Sequence, residues 1–366
     1  MKLGYFNMPM HPPGSNFTKT LHDDLEQIEV LDTLGYSEAW IGEHFTAEWE
    51  NIPSPDLFIA SALNKTKNIK LGTGVTCMPN HNPFLLAHRI AQLDHMAKGR
   101  FLWGVGSGGF PGDFDVAGID PKTGEHRTMA REALDLILSL WKNPKVGNYK
   151  NKYWDFNVPN PEEEIGLRFW LKPYQLPHPP IAVAGVSENS DTLTLAGERG
   201  YIPMSINLMP TKIVKSHWDT VEKGAQSTGA IANRNQWRIA RNVFVADSSE
   251  DAYQLAVNGI IGRDWDNYFM PLLCSRKINK EHTMMHALKN DPLLPDSAIT
   301  KEYMAENIWI IGNPDEVANK IRELYNQVGG FGTLLIMGSE WSPRAEWIRS
   351  HELLSTVVLD KLHDLG

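Results

Sequence analysis

Glu43 and His44 are the residues of this 366-residue sequence that most directly suggest catalysis. They follow the short apolar run Glu38–Gly42, which is typical of a buried strand. A histidine at such a point can donate or accept a proton near neutral pH, and it can also hydrogen-bond a ligand. Its position fits equally well a structural histidine that bonds a loop carbonyl, so the residue type alone leaves both roles open.

Two glycine-containing segments indicate close approach of a ligand to the backbone. Gly72 and Gly74 lie inside a strand-like run, where glycine marks either a tight corner or contact with a bound group. The segment Arg100–Gly112 runs from a strand into a glycine-rich loop. It is not a dinucleotide fingerprint, because Phe110-Pro111-Gly112-Asp113 replaces the helix start that would hold a pyrophosphate. A turn against which a flat cofactor lies fits better.

The segment Ile181–Thr192 has the pattern of a phosphate cup. It reads as a strand, a glycine, two serines at Ser187 and Ser190, and then the start of a helix. Backbone N–H groups and serine hydroxyls at a helix N-terminus bind a monophosphate well. The same residues can simply cap the helix, and the two roles are compatible.

Composition excludes several other classes of function. The formal charge of −9 argues against nucleic acid or an anionic membrane as a partner. The two cysteines, Cys77 and Cys274, indicate neither a disulfide framework nor a zinc ribbon, and together with the lack of a signal peptide in Met1–Pro13 they predict a cytoplasmic protein. No metal-ligand spacing is evident, so no metal site is expected and a metal-dependent hydrolase is disfavoured. No window is apolar enough to span a membrane.

The elements that must position these residues alternate between strands and helices. Eight apolar runs are predicted as strands: Lys2–Phe6, Glu38–Gly42, Ile69–Thr76, Arg100–Gly106, Ile181–Gly185, Ile202–Ile206, Trp237–Val245 and Gly332–Met337. Amphipathic helical patterns lie between them, as at Leu21–Leu34, Leu85–Met96 and Ala130–Trp141, and Asn313 to Glu316 has the form of a capping box. This order predicts an α/β fold, a (β/α)8 TIM barrel formed by a single domain over residues 1–366.

Three stretches interrupt the alternation: Gly108–Thr128, Asn143–Pro180 and Gly259–Ile308. Long insertions after barrel strands lie at the C-terminal face, where active sites form, and often cover the site as lids.

Taken together and in order, these motifs resemble those of the bacterial luciferase-like flavin monooxygenases. The resemblance is carried by Leu3-Gly4 with Pro12-Pro13, Glu43-His44-Phe45, Leu71-Gly72-Thr73, Pro79 with Pro83, Lys98-Gly99-Arg100-Phe101 followed by Gly104, Gly312-Asn313-Pro314 and Gly329–Met337. It extends over most of the chain and is closest to the limonene-monooxygenase-like members.

The resemblance implies a cofactor and a reaction. Reduced FMN, delivered by a separate NAD(P)H:flavin reductase, would react with O2 to a flavin C4a-hydroperoxide that oxygenates a small organic substrate, such as a terpenoid or a heterocycle that is ring-opened. His44 matches the family's active-site histidine, and Gly74-Val75 its non-prolyl cis peptide under the flavin. Ser187 and Ser190 fall on the family's phosphate loop, and Gly106, Ser107 and Val186 are predicted as further cofactor contacts. A homodimer is also implied.

Two further expectations concern the phosphate contact and the substrate pocket. Ser107 stands where luciferase has an arginine that helps to hold the phosphate, so that contact must come from another residue. Substrate contacts are predicted from bulky apolar side chains of the N-terminal loop and the insertions, namely Met8, Met10, Phe110, Trp265 and Phe269. An F420-dependent oxidoreductase and a non-catalytic flavin-binding protein remain as alternatives at this point.

Overall fold

Eight parallel strands close into a barrel in the computed structural model, which describes residues 1–8 and 10–365. The strands of the whole chain are β1 (Lys2–Asn7), β2 (Glu38–Ile41), β3 (Lys70–Cys77), β4 (Phe101–Gly106), β5 (Gly147–Lys150), β6 (Asp155–Val158), β7 (Ile181–Gly185), β8 (Ile202–Ser205), β9 (Arg238–Arg241), β10 (Val243–Val245), β11 (Ile310–Gly312) and β12 (Thr333–Met337). The barrel order is β1-β12-β9-β8-β7-β4-β3-β2, and β1 closes the ring by pairing with both β12 and β2. The predicted TIM barrel is confirmed.

Helices surround the barrel and cover its outward-facing side chains. They are α1 (Phe17–Thr33), α2 (Pro55–Ala62), α3 (Pro83–Ala97), α4 (Pro111–Val116), α5 (Glu125–Lys142), α6 (Asp191–Arg199), α7 (Thr211–Ser227), α8 (Ser249–Ala252), α9 (Ile260–Asp264), α10 (Met270–Ser275), α11 (Lys301–Asn307), α12 (Pro314–Val328), α13 (Arg344–Leu353) and α14 (Leu359–Lys361). Short π-helical segments at Tyr253–Val257, Trp265–Phe269 and Leu354–Val358 join neighbouring helices. The capping box predicted at Asn313 and Glu316 opens α12.

The predicted strand Trp237–Val245 is in fact two strands. β9 belongs to the barrel, whereas β10 turns outward at Asn242 and pairs with β11 in a separate two-stranded sheet. β11 was not predicted, because its three residues are too short to give a periodic pattern. The insertion between α5 and β7 contains an antiparallel hairpin of β5 and β6.

The barrel interior is filled by an apolar cluster that supports the site above it. Its fully or nearly buried members are Trp40, Leu102, Ala182, Ile202, Met204, Ala240, Leu335 and Met337. Inward-pointing residues of this kind make a barrel centre a packed core and not a pore. Across the described part of the chain, no helix is long and apolar enough to cross a membrane.

Candidate active site

His44 is held between two carboxylates just beyond the end of β2. Its Nε2 lies 3.2 Å from Oε2 of Glu50, and its Nδ1 lies 3.5 Å from Oδ2 of Asp113. Tyr268 donates a hydrogen bond of 2.5 Å to the other oxygen of Glu50. The ring of Phe110 packs against the imidazole with a centroid distance of 4.1 Å. The loop after β2 and the start of α4 therefore fix the orientation of this one ring, and the segment Trp265–Phe269 holds Glu50 in place.

The charges around His44 favour its protonated form. Burial opposes a charge on the imidazole, but Glu50 and Asp113 outweigh that effect and raise the pKa of His44 to about 10. Burial likewise works against the carboxylate of Asp113, yet hydrogen bonds from His44 and Thr46 lower its pKa overall. The site thus presents an imidazolium flanked by two carboxylates at neutral pH, which suits a hydrogen-bond or proton donor better than a base.

Two cavities meet at His44. The first has a volume of about 180 Å³ and almost entirely apolar walls, formed by residues that include Phe6, Met8, Phe269, Leu335 and Met337. The second, of about 440 Å³, extends away over the glycine-rich turn and has more polar walls. Phe6, His44, Gly74 and Ile206 belong to both. Together they form one site with an apolar end and a polar end.

The predicted cofactor residues come together in the second cavity. Gly74, Val75, Gly106, Ser107, Val186, Ser187 and Ser190 all line it. The peptide bond between Gly74 and Val75 is cis, as the family resemblance implies. Arg127, at the start of α5, lines the same cavity and provides a cationic side chain near Ser107.

A chain of buried hydrogen bonds fixes the loop that carries Ser187. Trp237 Nε1 donates to Oγ of Ser205 over 2.9 Å, and that hydroxyl lies 2.9 Å from Nδ1 of His217. The Nε2 of His217 then donates to the carbonyl of Ser187 over 3.1 Å. Burial lowers the pKa of His217 to about 4, so the ring is neutral and can both accept and donate. The loop that carries Ser187 is therefore connected through His217 of α7 to Ser205 of β8 and to Trp237, the residue before β9.

Two of the predicted substrate residues lie elsewhere. Met8 and Phe269 line the apolar cavity, and Phe110 contacts His44. Met10 and Trp265, in contrast, are buried in the core: Met10 pairs with Glu50 in an isolated β-bridge, and the Trp265 ring packs edge-on against Trp309. Bulky apolar residues of an insertion can serve as its own core, and residue type alone does not separate that use from pocket lining.

Glu50, Asp113, His217 and Arg127 were not identified from the sequence as individual site residues. None lies in a strand-end motif, and each reaches the site through a loop or helix whose path is set by tertiary packing. Asp113 had a usable signal, since it directly follows the glycine-rich segment Arg100–Gly112 and lies in the first turn of α4.

Comparison with known proteins identifies relatives along the whole chain. The sequence model of the family described as luciferase-like monooxygenase matches residues 1–330. A 4-hydroxyprotoasukamycin monooxygenase of Streptomyces nodosus subsp. asukaensis is 33% identical over 99% of this chain and 92% of its own length. Limonene 1,2-monooxygenase of Rhodococcus erythropolis is 31% identical over 99% of this chain and 87% of its own.

Solved structures with the same fold include one that contains a flavin. The oxygenating constituent of 3,6-diketocamphane monooxygenase from the CAM plasmid of Pseudomonas putida, a type II Baeyer-Villiger monooxygenase solved in complex with FMN, has a TM-score of 0.89 at 31% identity. The similarity covers 99% of this chain and 98% of that one. An F420-dependent secondary alcohol dehydrogenase, at 18% identity and a TM-score of 0.69, shares the fold alone.

Proposed function

The chain belongs to the luciferase-like monooxygenase family, and from this membership we propose how its residues carry out an FMN-dependent oxygenation. It is the oxygenase component of a two-component flavin monooxygenase, and hydride transfer with F420 is not favoured. Reduced FMN, when bound, supplies the reaction with O2 that delivers one oxygen atom to the substrate and the other to water. The observation that supports this proposal most directly is the His44 imidazolium at the junction of the two cavities.

The shape and polarity of the site fit FMN. The phosphate end would be held by the hydroxyls of Ser187, Ser190 and Ser107 and by the guanidinium of Arg127, which takes the place of the arginine missing at Ser107. The flat ring system would lie against Gly74, Val75 and Gly106, with Val186 beside it.

The residues around the apolar cavity would position the substrate and exclude water. The Nε2–H of His44, whose contact with Glu50 falls outside hydrogen-bond geometry, would donate to the oxygen atom that gains negative charge during oxygen transfer, and Glu50 and Asp113 keep the ring protonated. The walls formed by Met8, Phe269 and their neighbours fit a small apolar cyclic molecule, with Phe110 fixing the imidazole from one side. A cyclic ketone, oxidised to a lactone by insertion of one oxygen atom, is the substrate class we propose.

The partners follow from the two-component system. We propose that a separate NAD(P)H:flavin reductase supplies the reduced FMN in the cytoplasm, where Cys77 and Cys274 remain free thiols.

We further propose that residues 1–366 form one domain, since the C-terminal α13 packs back onto the barrel. His351 lies 2.7 Å from the hydroxyl of Tyr36, and its ring packs on Tyr5.

A homodimer is the proposed assembly. Leu57 on α2 and Leu85 on α3 are 71% and 61% exposed, and Asp56 and Arg89, which neighbour them, form an ion pair between the two helices. Exposed leucines on two adjoining helices are typical of a surface that a second subunit covers.

The test combines product analysis with substitution of His44. Purified protein is supplied with FMN, NADH, a flavin reductase and ¹⁸O2, and is offered a panel of camphor-type diketones and limonene. We expect one ¹⁸O atom in the product, and a fall of roughly 10²-fold in product formation for His44→Gln, with reduced flavin consumed unproductively instead. His363→Gln, a change at an exposed histidine near the C-terminus, is the control. Unlabelled product, or turnover that needs no O2, would refute the proposal.

A further inference from the structure

A third cavity lies on the outer side of the barrel and has no lining residue in common with the two that meet at His44. Its volume is about 450 Å³. It is enclosed by the N-terminal end of α7, the last residue of β9, the end of α11, and β11 with α12. Its walls are mainly polar, and they include Lys212, Arg241, Trp309 and Lys320.

Arg241 is an isolated buried cation. It is only 2% exposed, its Nη1 donates a hydrogen bond of 3.0 Å to the carbonyl of Ala240, and its Nη2 has no partner among the described residues. Burial lowers the pKa of Arg241 to about 10, so the guanidinium is still protonated at neutral pH. No carboxylate forms an ion pair with it in the part of the chain that the structure describes. A buried charge without a counterion is costly, which makes it a strong attractor for an anion.

The other groups around the cavity are also mostly donors. The indole Nε1 of Trp309 is buried and lacks an acceptor within the described residues, so it is a second unsatisfied donor in the same wall. Lys212 and Lys320 add two ammonium groups, each held near the cavity by hydrogen bonds to backbone carbonyls. The first turn of α7 has neither a side-chain cap nor an acidic residue. Glu306 and Glu323 also line the cavity, but neither contacts Arg241.

We propose that this cavity is a binding site for a small oxyanion, a phosphate or carboxylate group, held by Arg241, Trp309 and Lys212. Each of these donors lacks an acceptor or can bond one more, and an oxyanion accepts several hydrogen bonds at once. Ala240 lines the apolar cavity of the active site, while the next residue, Arg241, lines this one. Successive residues of a strand point to opposite faces, so one strand end contributes to both sites without joining them.

The loop after β8 connects the wall of the active site to the oxyanion site. Asn207 and Leu208 line the apolar cavity, and four residues after Leu208 the chain reaches Lys212 in the oxyanion site. Asn207 also donates a hydrogen bond of 3.2 Å to Asn242, the residue that follows Arg241. The site is nevertheless defined without reference to FMN, so its test does not depend on oxygenase activity.

The experiment observes the Trp309 indole directly. The intact protein is labelled with ¹⁵N-tryptophan and titrated in Tris–chloride with inorganic phosphate and, separately, with acetate. The Trp309 resonance is identified by its absence from Trp309→Phe. We expect a saturable shift of that resonance with phosphate if the group recognised is a phosphate, or with acetate if it is a carboxylate. No shift with either anion would overturn the proposal.

Two variants test whether Arg241 is the anchor. Arg241→Met removes an uncompensated buried charge, so we expect its melting temperature in Tris–chloride to match or exceed that of the unmodified protein, while the Trp309 shift is lost. Lys212→Gln changes a residue nearer the surface and serves as the test if Arg241→Met does not fold. We expect it to weaken binding of the anion roughly tenfold. An unchanged titration in both variants would overturn the proposal.

A matched control separates this site from the phosphate cup of the active site. Arg127→Gln lies in the second cavity at His44 and should weaken FMN binding while leaving the Trp309 titration unchanged. If Arg127→Gln abolishes the Trp309 shift and Arg241→Met keeps it, the anion binds at the active site and the proposal is wrong.

Discussion

At the scale of single residues, the charge state of His44 decides what the site can do. An imidazole between Glu50 and Asp113 has its pKa raised to about 10 in the folded protein, above its ordinary value of about 6.5. The protonated form therefore stabilises the folded state fully below about pH 6.5, and this contribution is lost as the pH rises through about 10. Within the physiological range His44 is a cation, which is the form that stabilises developing negative charge on a substrate oxygen.

Glu50→Gln should lower the pKa of His44. The amide keeps the acceptor for Tyr268 but removes one of the two negative charges that hold the proton on the ring. We expect the midpoint of the His44 NMR titration to move to lower pH. The rate of product formation should then begin to fall at a correspondingly lower alkaline pH.

Glu43→Gln is the matched control for that change. Glu43 contacts a different histidine, His81, with 2.9 Å between its Oε1 and the ring Nε2. Both substitutions remove a buried carboxylate beside a histidine, but only Glu50 contacts His44. Equal His44 titrations in the two variants would show that Glu50 does not set the charge of His44.

The sequence predicts His44 as a site residue but does not predict the two carboxylates beside it. His44 follows a strand, and the carboxyl end of a barrel strand is where catalytic residues lie. Glu50 and Asp113 lie 6 and 69 residues further along the chain. Their convergence depends on how two loops pack, which no local pattern encodes. The same limit applied to Met10 and Trp265, whose apolar character could not separate pocket from core.

At the scale of the elements, the contact between β3 and β4 fixes the floor of the proposed flavin site. The register between these strands shifts between Thr73 and Thr76, which brings the chain close to Gly104. A Cβ atom at Gly104 would lie only 2.0 Å from the carbonyl oxygen of Thr73. The glycine is therefore required by close backbone approach, one of the two interpretations that glycine in a strand allows.

Gly104→Ala should destabilise the barrel by at least ~2 kcal/mol, because backbone on a neighbouring strand has to move. The control is Gly109→Ala, in the loop after the same strand, where a Cβ meets no atom within 4 Å and where we expect a change within ~0.5 kcal/mol. Urea unfolding curves measure both. Similar free energies of unfolding for the two variants would contradict the packing argument.

Element prediction succeeded where the pattern was long and failed where an element was short. The eight barrel strands are apolar runs separated by clear helical periods, so their number and order could be predicted. The end of Trp237–Val245 could not, because β9 and β10 are separated by the single residue Asn242, which is too short a gap to divide a strand-like run in the sequence.

At the scale of the whole molecule, the proposed dimer interface and the candidate active site lie on different surfaces of the barrel. The cavities at His44 open at the carboxyl ends of the strands, whereas the exposed leucines lie on α2 and α3 at the barrel's outer side. A dimer formed through these helices would leave the substrate entrance open. It would also bring together two copies of the ion pair between Asp56 and Arg89, with apolar side chains on either side.

The double substitution Leu57→Lys with Leu85→Lys should therefore convert the dimer into a monomer. Four lysines brought into one symmetric apolar interface repel one another and are costly to bury. We expect light scattering after size-exclusion chromatography to show about half the mass of the unmodified protein, with FMN binding retained. Leu293→Lys, at a leucine that is 90% exposed elsewhere on the surface, is the control and should leave the mass unchanged. A double variant that remains dimeric would exclude these helices as the interface, and an unmodified protein that is monomeric would refute the dimer itself.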